Sequence, residues 1–287
     1  MKTIEIEDGV NGYVDLIQHM LHYGEAAAPR GIKTYEIEDA TIHIANVYNT
    51  LPIGVGRGTV PGIGAVEATQ LLSGTSYPET VIAVGPQFTN YTEDDGKFHG
   101  SYGTRTNGQY NVMIDRLKKD PYSRQCVVTI WNPERDMLEK KRDYPCTILH
   151  QFRIRNNKLN MSVYMRSNDV WLGAAYDFFQ FTRVQLAMCS VLGIEPGTYA
   201  HHVGSLHIYE TNCDAAGRLV KTDASAIEPI PYFTGRTWDE VMASAHASLT
   251  AVHDTQLRRR LTQDELWYTT SMVKAIDKNA SKKAGAV

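Results

Sequence analysis

The 287 residues are 43% apolar and 21% charged, enough for one large domain or two modest ones with a substantial core. A formal charge of −3 argues against a general polyanion binder, whose footprint is a net basic field, so any phosphate contact belongs to a local pocket. The opening MKTIEIEDG is charged and alternates in polarity, unlike a secretory signal, and no stretch approaches the ~20 apolar residues of a membrane span.

Residues 10–24 carry Val10, Val14, Ile17, Met20 and Leu21 on one helical face. Strand-like runs follow at 32–38 and 41–48, then a Gly/Pro-rich loop, 51–64, leads into a helix containing AVEATQLL. TVIAV, at 80–84, reads as a short strand, and 91–105 as a polar, glycine-bearing lid or binding loop. A helix is expected over 109–120 and a strand over 126–131. Residues 148–155 and 158–166 have the period of a hairpin around Asn156-Asn157. The run 174–193 is too apolar for a surface helix and reads as a core element. A further strand region spans 197–210, and the last seventy-odd residues look helical, ending in the basic, small-residue SKKAGAV. No repeat or linker divides the chain, so the class is α+β around a large mixed sheet in a single domain, 1–287.

Taken singly, the polar residues say little. Cys126, Cys146, Cys189 and Cys213 form no CxxC pair, which suits a reduced, cytosolic protein. Cys146 follows Pro145 just before a strand-like run, and an isolated cysteine there reads first as a buried thiol. Asp177 stands among Ala174, Ala175, Tyr176, Phe178 and Phe179, where the helix macrodipole alone explains an acid in a first turn. Neither His201-His202 nor His207 with Cys213 has metal-ligand spacing, so no metal is expected.

Taken together, PCTILHQF, RSNDVWLGAAYDF and GSLHIY, in this order and at these separations, resemble the thymidylate synthase family. The likeness is firm from about 120 to 210, thinner from 30 to 105, and largely lost beyond 212, leaving a divergent helical region over about 213–287. The resemblance implies a thymidylate-synthase-like fold whose sheet face forms the interface of an obligate homodimer. It implies Cys146 as nucleophile, Glu67 as proton manager and Tyr102 near the nucleophile. Arg30, Arg124, Arg166 and Ser167 would hold the nucleotide phosphate, with Arg124 donated by the neighbouring subunit. Gln125 stands where synthases usually have a second arginine. His207 and Tyr209 would bind the sugar hydroxyl. For the folate, Asp169 would contact the pterin and Leu172, Gly173 and Tyr176 would line its apolar slot. The terminal Ala286-Val287 is similar to the family's apolar C-terminus, which folds over the site.

Two departures redirect that implication. Thymidylate synthases carry asparagine where this chain has Asp177, and histidine where it has Thr147. With both changes the motifs resemble the deoxycytidylate hydroxymethylases of large bacteriophages. That implies conversion of dCMP to 5-hydroxymethyl-dCMP with 5,10-methylenetetrahydrofolate and water, in the cytoplasm of a bacterium or a phage-infected host, without nucleic-acid or membrane partners. The chemistry agrees. Uracil presents O4, an acceptor, beside N3–H, a donor, which an amide complements, whereas cytosine presents an amine beside a bare N3. A carboxylic acid accepts from N4 through one oxygen and shares a proton with N3 through the other, and burial favours holding that proton near neutral pH. Alternatives are a CMP hydroxymethylase of nucleoside-antibiotic pathways, a methylase acting on (d)CMP or dUMP, and an idle nucleotide-binding homologue.

Overall fold

Apolar residues at period two build the sheet, and apolar residues at helical spacing cover it. The computed structural model describes residues 2–137, 140–223 and 228–284. The strands are β1 (Lys2–Asp8), β2 (Glu25–Ala27), β3 (Thr34–Asn46), β4 (Val127–Thr129), β5 (Thr147–Arg155), β6 (Lys158–Met165), β7 (Asn168–Asp169) and β8 (Glu195–Tyr209). The helices are α1 (Asn11–Tyr23), α2 (Pro61–Ser73), α3 (Pro78–Val84), α4 (Tyr102–Thr106), α5 (Gln109–Lys119), α6 (Pro133–Asp136), α7 (Ala174–Leu192), α8 (Glu210–Ala216), α9 (Trp238–Thr250), α10 (Thr255–Arg258) and α11 (Gln263–Ala284).

One mixed sheet runs β1-β3-β8-β6-β5-β4, with β2 beside β3 and β7 beside β8. β6 and β8 are parallel, joined by a crossover through α7, while β5 and β6 form an antiparallel hairpin. Asn156 and Asn157 turn that hairpin with φ of 52° and 57°, the paired left-handed conformation a tight hairpin turn requires. α7 is buried along almost its whole length because the sheet lies beneath it and α2 and α9 pack against it.

Two expectations change. The runs at 32–38 and 41–48 are one strand, β3, in which Asp39 takes a left-handed φ of 52° without ending the pairing with β8. Aspartate tolerates that region better than most residues, so the strand continues through it. TVIAV is helical, within α3. Pro78 starts that helix, Glu79 suits its first turn, and Thr80, Val81 and Val84 are buried on one side.

Buried polar groups of α7 tie distant segments to it. The Arg183 guanidinium is 0% exposed. It donates to the carbonyls of Val47, Tyr48, Ile230 and Pro231 and stacks over Phe179. The C-terminal helices α9 and α11 pack on α2. Gly62 permits that approach, since a Cβ there would lie 2.6 Å from the Ser271 carbonyl oxygen. Residues Ala286 and Val287 lie outside the described residues.

Candidate active site

The hairpin creates the first pair. Cys146 precedes β5 and Arg166 follows β6, so the strand register sets them opposite each other, with the Arg166 N–H donating to the Cys146 carbonyl at 2.9 Å. The Arg166 side chain then folds back, Nη2 reaching Cys146 Sγ at 3.7 Å and Nε donating to the Pro145 carbonyl at 3.1 Å. Its guanidinium also lies 5.8 Å from the centre of the Trp131 ring. Burial pushes the Cys146 thiol up, and Arg166 is the group that pulls it down.

Behind the thiol sits a pair of acids. Asp177, in the first turn of α7, is 8% exposed. Burial raises its pKa to about 7, against the opposing hydrogen bonds from Asn168 and Gln180. Glu67 comes from α2, and its Oε2 is enclosed with no hydrogen-bond partner among the described residues. Burial and then the charge of Asp177 raise Glu67 to about 8. Two acids with pKa values near neutrality, beside a thiol, can take up and release protons at physiological pH. Tyr102, from α4, accepts a hydrogen bond from the Thr147 N–H at 3.4 Å and stacks on Phe181.

On the other side, β7 pairs with β8 so that Asn168 faces Leu206 and Asp169 faces His207. Ser167 Oγ and His207 Nδ1 are 3.4 Å apart, and the rings of His207 and Tyr209 meet edge to face. Asp169 Oδ1 accepts from the N–H groups of Trp171 and Leu172, while its Oδ2 is enclosed and unpartnered among the described residues. Leu172 is 54% exposed. Tyr176 OH meets Arg57 at 3.3 Å, and the Arg57 guanidinium sits among the rings of Tyr13, Trp171 and Tyr176.

Cys146, Arg166, Glu67, Tyr102 and Asp177 thus lie together, with Ser167, Asp169, Leu172, Gly173, Tyr176, His207 and Tyr209 along the adjoining rim. Two arginines lie outside this cluster, Arg30 at the end of the sheet where Thr34 faces Tyr209 and Arg124 farther along it. Arg30 is exposed in the turn after β2, with a left-handed φ of 57°. Arg124 is exposed ahead of β4, whose register with β5 sets it about eight residues along the sheet from Cys146, roughly 25 Å at ~3.3 Å per residue. Four residues near the acids and the rim escaped the sequence reading: Asn168, Gln180, Arg57 and Trp131. Only Gln180 carried a usable signal, three residues after Asp177 on a helix. Among the described residues no group of three His, Cys, Asp or Glu side chains could hold a metal ion, and no helix is long and apolar enough to cross a membrane.

A family model described as thymidylate synthase matches residues 11–233. The chain belongs to the thymidylate synthase family. The match runs past residue 212, where the motif likeness fades, and stops before α9 and α11. A deoxyuridylate hydroxymethyltransferase of Bacillus phage SP01 is 31% identical over 214 residues, which cover 69% of this chain and 56% of that protein. The matched region is thus little more than half the length of that relative.

Proposed function

We propose that the protein is a one-carbon transferase that hydroxymethylates C5 of a cytosine nucleotide, dCMP in the first place. The observation that carries this reading is the buried Asp177, poised near neutrality beside Glu67 and the Cys146–Arg166 pair. The Cys146 thiolate adds to C6 of the base, and negative charge spreads into the ring. Asp177 supplies a proton at N3 as that charge develops. Methylenetetrahydrofolate, the family's co-substrate, supplies the one-carbon unit when bound. The enclosed, unpartnered Asp169 Oδ2 and the exposed Leu172 fit such a ring, one as an acceptor for its amine groups and the other as an apolar floor. Glu67 then removes the C5 proton and orients the water that traps the exocyclic carbon as an alcohol. Arg166, Ser167 and Arg30 hold the phosphate, while His207 and Tyr209 hold the sugar. Arg124, far from its own Cys146, serves the partner's site in a homodimer.

A second reading is hydroxymethylation of dUMP, favoured by the name of the phage relative. Against it, the proton arrangement that fits cytosine sets an accepting oxygen against O4 and an O–H against N3–H, so uracil fits only if the acid's proton moves to its other oxygen. Mass spectrometry of products from dCMP, CMP and dUMP, each with methylenetetrahydrofolate, separates base, sugar and reaction branch. The expected product is 5-hydroxymethyl-dCMP. Turnover of dUMP alone, or formation of a methyl product with dihydrofolate, refutes the proposal.

A further inference from the structure

The two oxygens of Asp177 are held unequally. Oδ2 accepts from Asn168 Nδ2 at 2.6 Å, whereas Oδ1 accepts from Gln180 Nε2 at 3.0 Å. Both donors are buried. Asn168 is fixed by the pairing of β7 with β8, and Gln180 lies one turn along α7 from the acid it touches. The Asn168 amide faces Asp177 at the expense of its own Oδ1, which is enclosed with no donor among the described residues. Turning the amide over would set that oxygen against Asp177 Oδ2, acceptor against acceptor, so the accepting Oδ2 holds the orientation seen. Gly173 leaves room for the pair, since a Cβ there would stand 3.2 Å from both Asn168 Nδ2 and Asp177 Oδ2.

We propose that Asn168 is a positioning residue that makes Oδ2 the unprotonated, amine-accepting oxygen of Asp177 and leaves Oδ1 to carry the proton. The proposal rests on reading Asp177 as the acid that recognises the base. The shorter contact favours an unprotonated, accepting Oδ2, and the longer Gln180 contact leaves Oδ1 the easier oxygen to protonate. A cytosine ring then has one orientation, N4 at Oδ2 and N3 at Oδ1. As the thiolate adds to C6, the Oδ1 proton passes to N3 and leaves a carboxylate with a donor on each oxygen. It returns from N3 to Oδ1 when the thiolate departs. The titratable groups that face Asp177 are Glu67 from α2, Tyr102 from α4, Cys146 ahead of β5 and Tyr199 from β8. The charge of Asp177 raises each of them, whereas Asp177 itself is set by burial and by the two amides, the hydrogen-bond partners of its side chain among the described residues.

The test is a ¹³C NMR titration of the Asp177 carboxyl in the ligand-free protein, with Asn168→Leu and Gln180→Leu, alongside the pH dependence of tritium release from C5-labelled dCMP. An amide that donates to a carboxylate lowers its pKa, so removal raises it. The Asn168→Leu midpoint is expected to rise by about one pH unit or more, and the Gln180→Leu midpoint by less. The alkaline limb of tritium release moves up with the midpoint. Should Asn168→Leu fail to fold, Asn168→Ser, whose hydroxyl is too short to reach Oδ2, carries the same expected rise. An unmoved midpoint, or a larger rise in Gln180→Leu, overturns the proposal even if dCMP is the substrate. If wild type releases no tritium from dCMP but the midpoints move in the expected order, the base assignment falls and the division of the two oxygens stands.

Discussion

Replacing Asp177 by asparagine removes one ionisable proton and changes little else in volume, so its effects can be worked out from the site. The Asp177 carboxyl ionises in the unfolded chain near its ordinary 3.8, but in the folded protein only at about 7. Between those values the folded state holds a proton that the unfolded state has lost, so this group's contribution to stability falls as pH rises through the window. The full difference is about 4 kcal/mol at ~1.4 kcal/mol per pH unit, an upper bound because water entry and repacking relieve part of it. Asparagine has no such dependence. Urea unfolding at pH 5 and pH 8.5, which spans about two of those pH units, is expected to show Asp177→Asn gaining on wild type by up to about 2.7 kcal/mol as the pH rises. The same change reverses the hydrogen-bond pattern offered to the base. With ~1.5–3 kcal/mol for a hydrogen bond to a charged group, the dCMP:dUMP ratio of C5 tritium release should swing toward dUMP by about 10- to 100-fold. A stability difference that does not vary with pH would show that the carboxyl is not held neutral by burial. An unchanged substrate ratio would remove Asp177 from base recognition.

Arg166→Leu removes the cation that opposes burial at Cys146, so the thiol pKa should rise and iodoacetamide alkylation at pH 7 should slow by about tenfold or more. An unchanged alkylation rate would mean that Arg166 does not govern the thiolate. Arg183→Met strips the carbonyls of Val47, Tyr48, Ile230 and Pro231 of their buried donor. Denaturant unfolding should show a loss of at least ~3 kcal/mol, since each enclosed, unpaired acceptor costs about 1–3 kcal/mol. A loss under ~1 kcal/mol would mean that water reaches those carbonyls.

The β5–β6 hairpin was legible in the sequence because both of its determinants are local. Period-two apolar residues mark the strands, and two asparagines tolerate the turn. Counting back from that turn brings Cys146 near Arg166, so the central pair of the candidate site follows from the same local signal, one bulge aside. TVIAV was misread because a threonine and four apolar residues cannot distinguish a buried strand from a buried helical turn, and the deciding Pro78 and Gly85 lie just outside the run. Glu67 and Asp177 stood out as residue types within motifs, but nothing in their 110-residue separation shows that their charges meet.

The sequence by itself determined the elements that depend on periodicity and turn chemistry, and through its ordered motifs the family to which the chain belongs. It also supplied an acid where that family's synthases have an amide. Only the tertiary structure decided what that acid can do. Its pKa near 7 comes from packing the first turn of α7 against α2, the sheet and β7, which removes water from the carboxyl and leaves two amides, from elements remote and near, as its donors. Desolvation is a property of every surface that closes on a group at once, and no window of the chain contains them all.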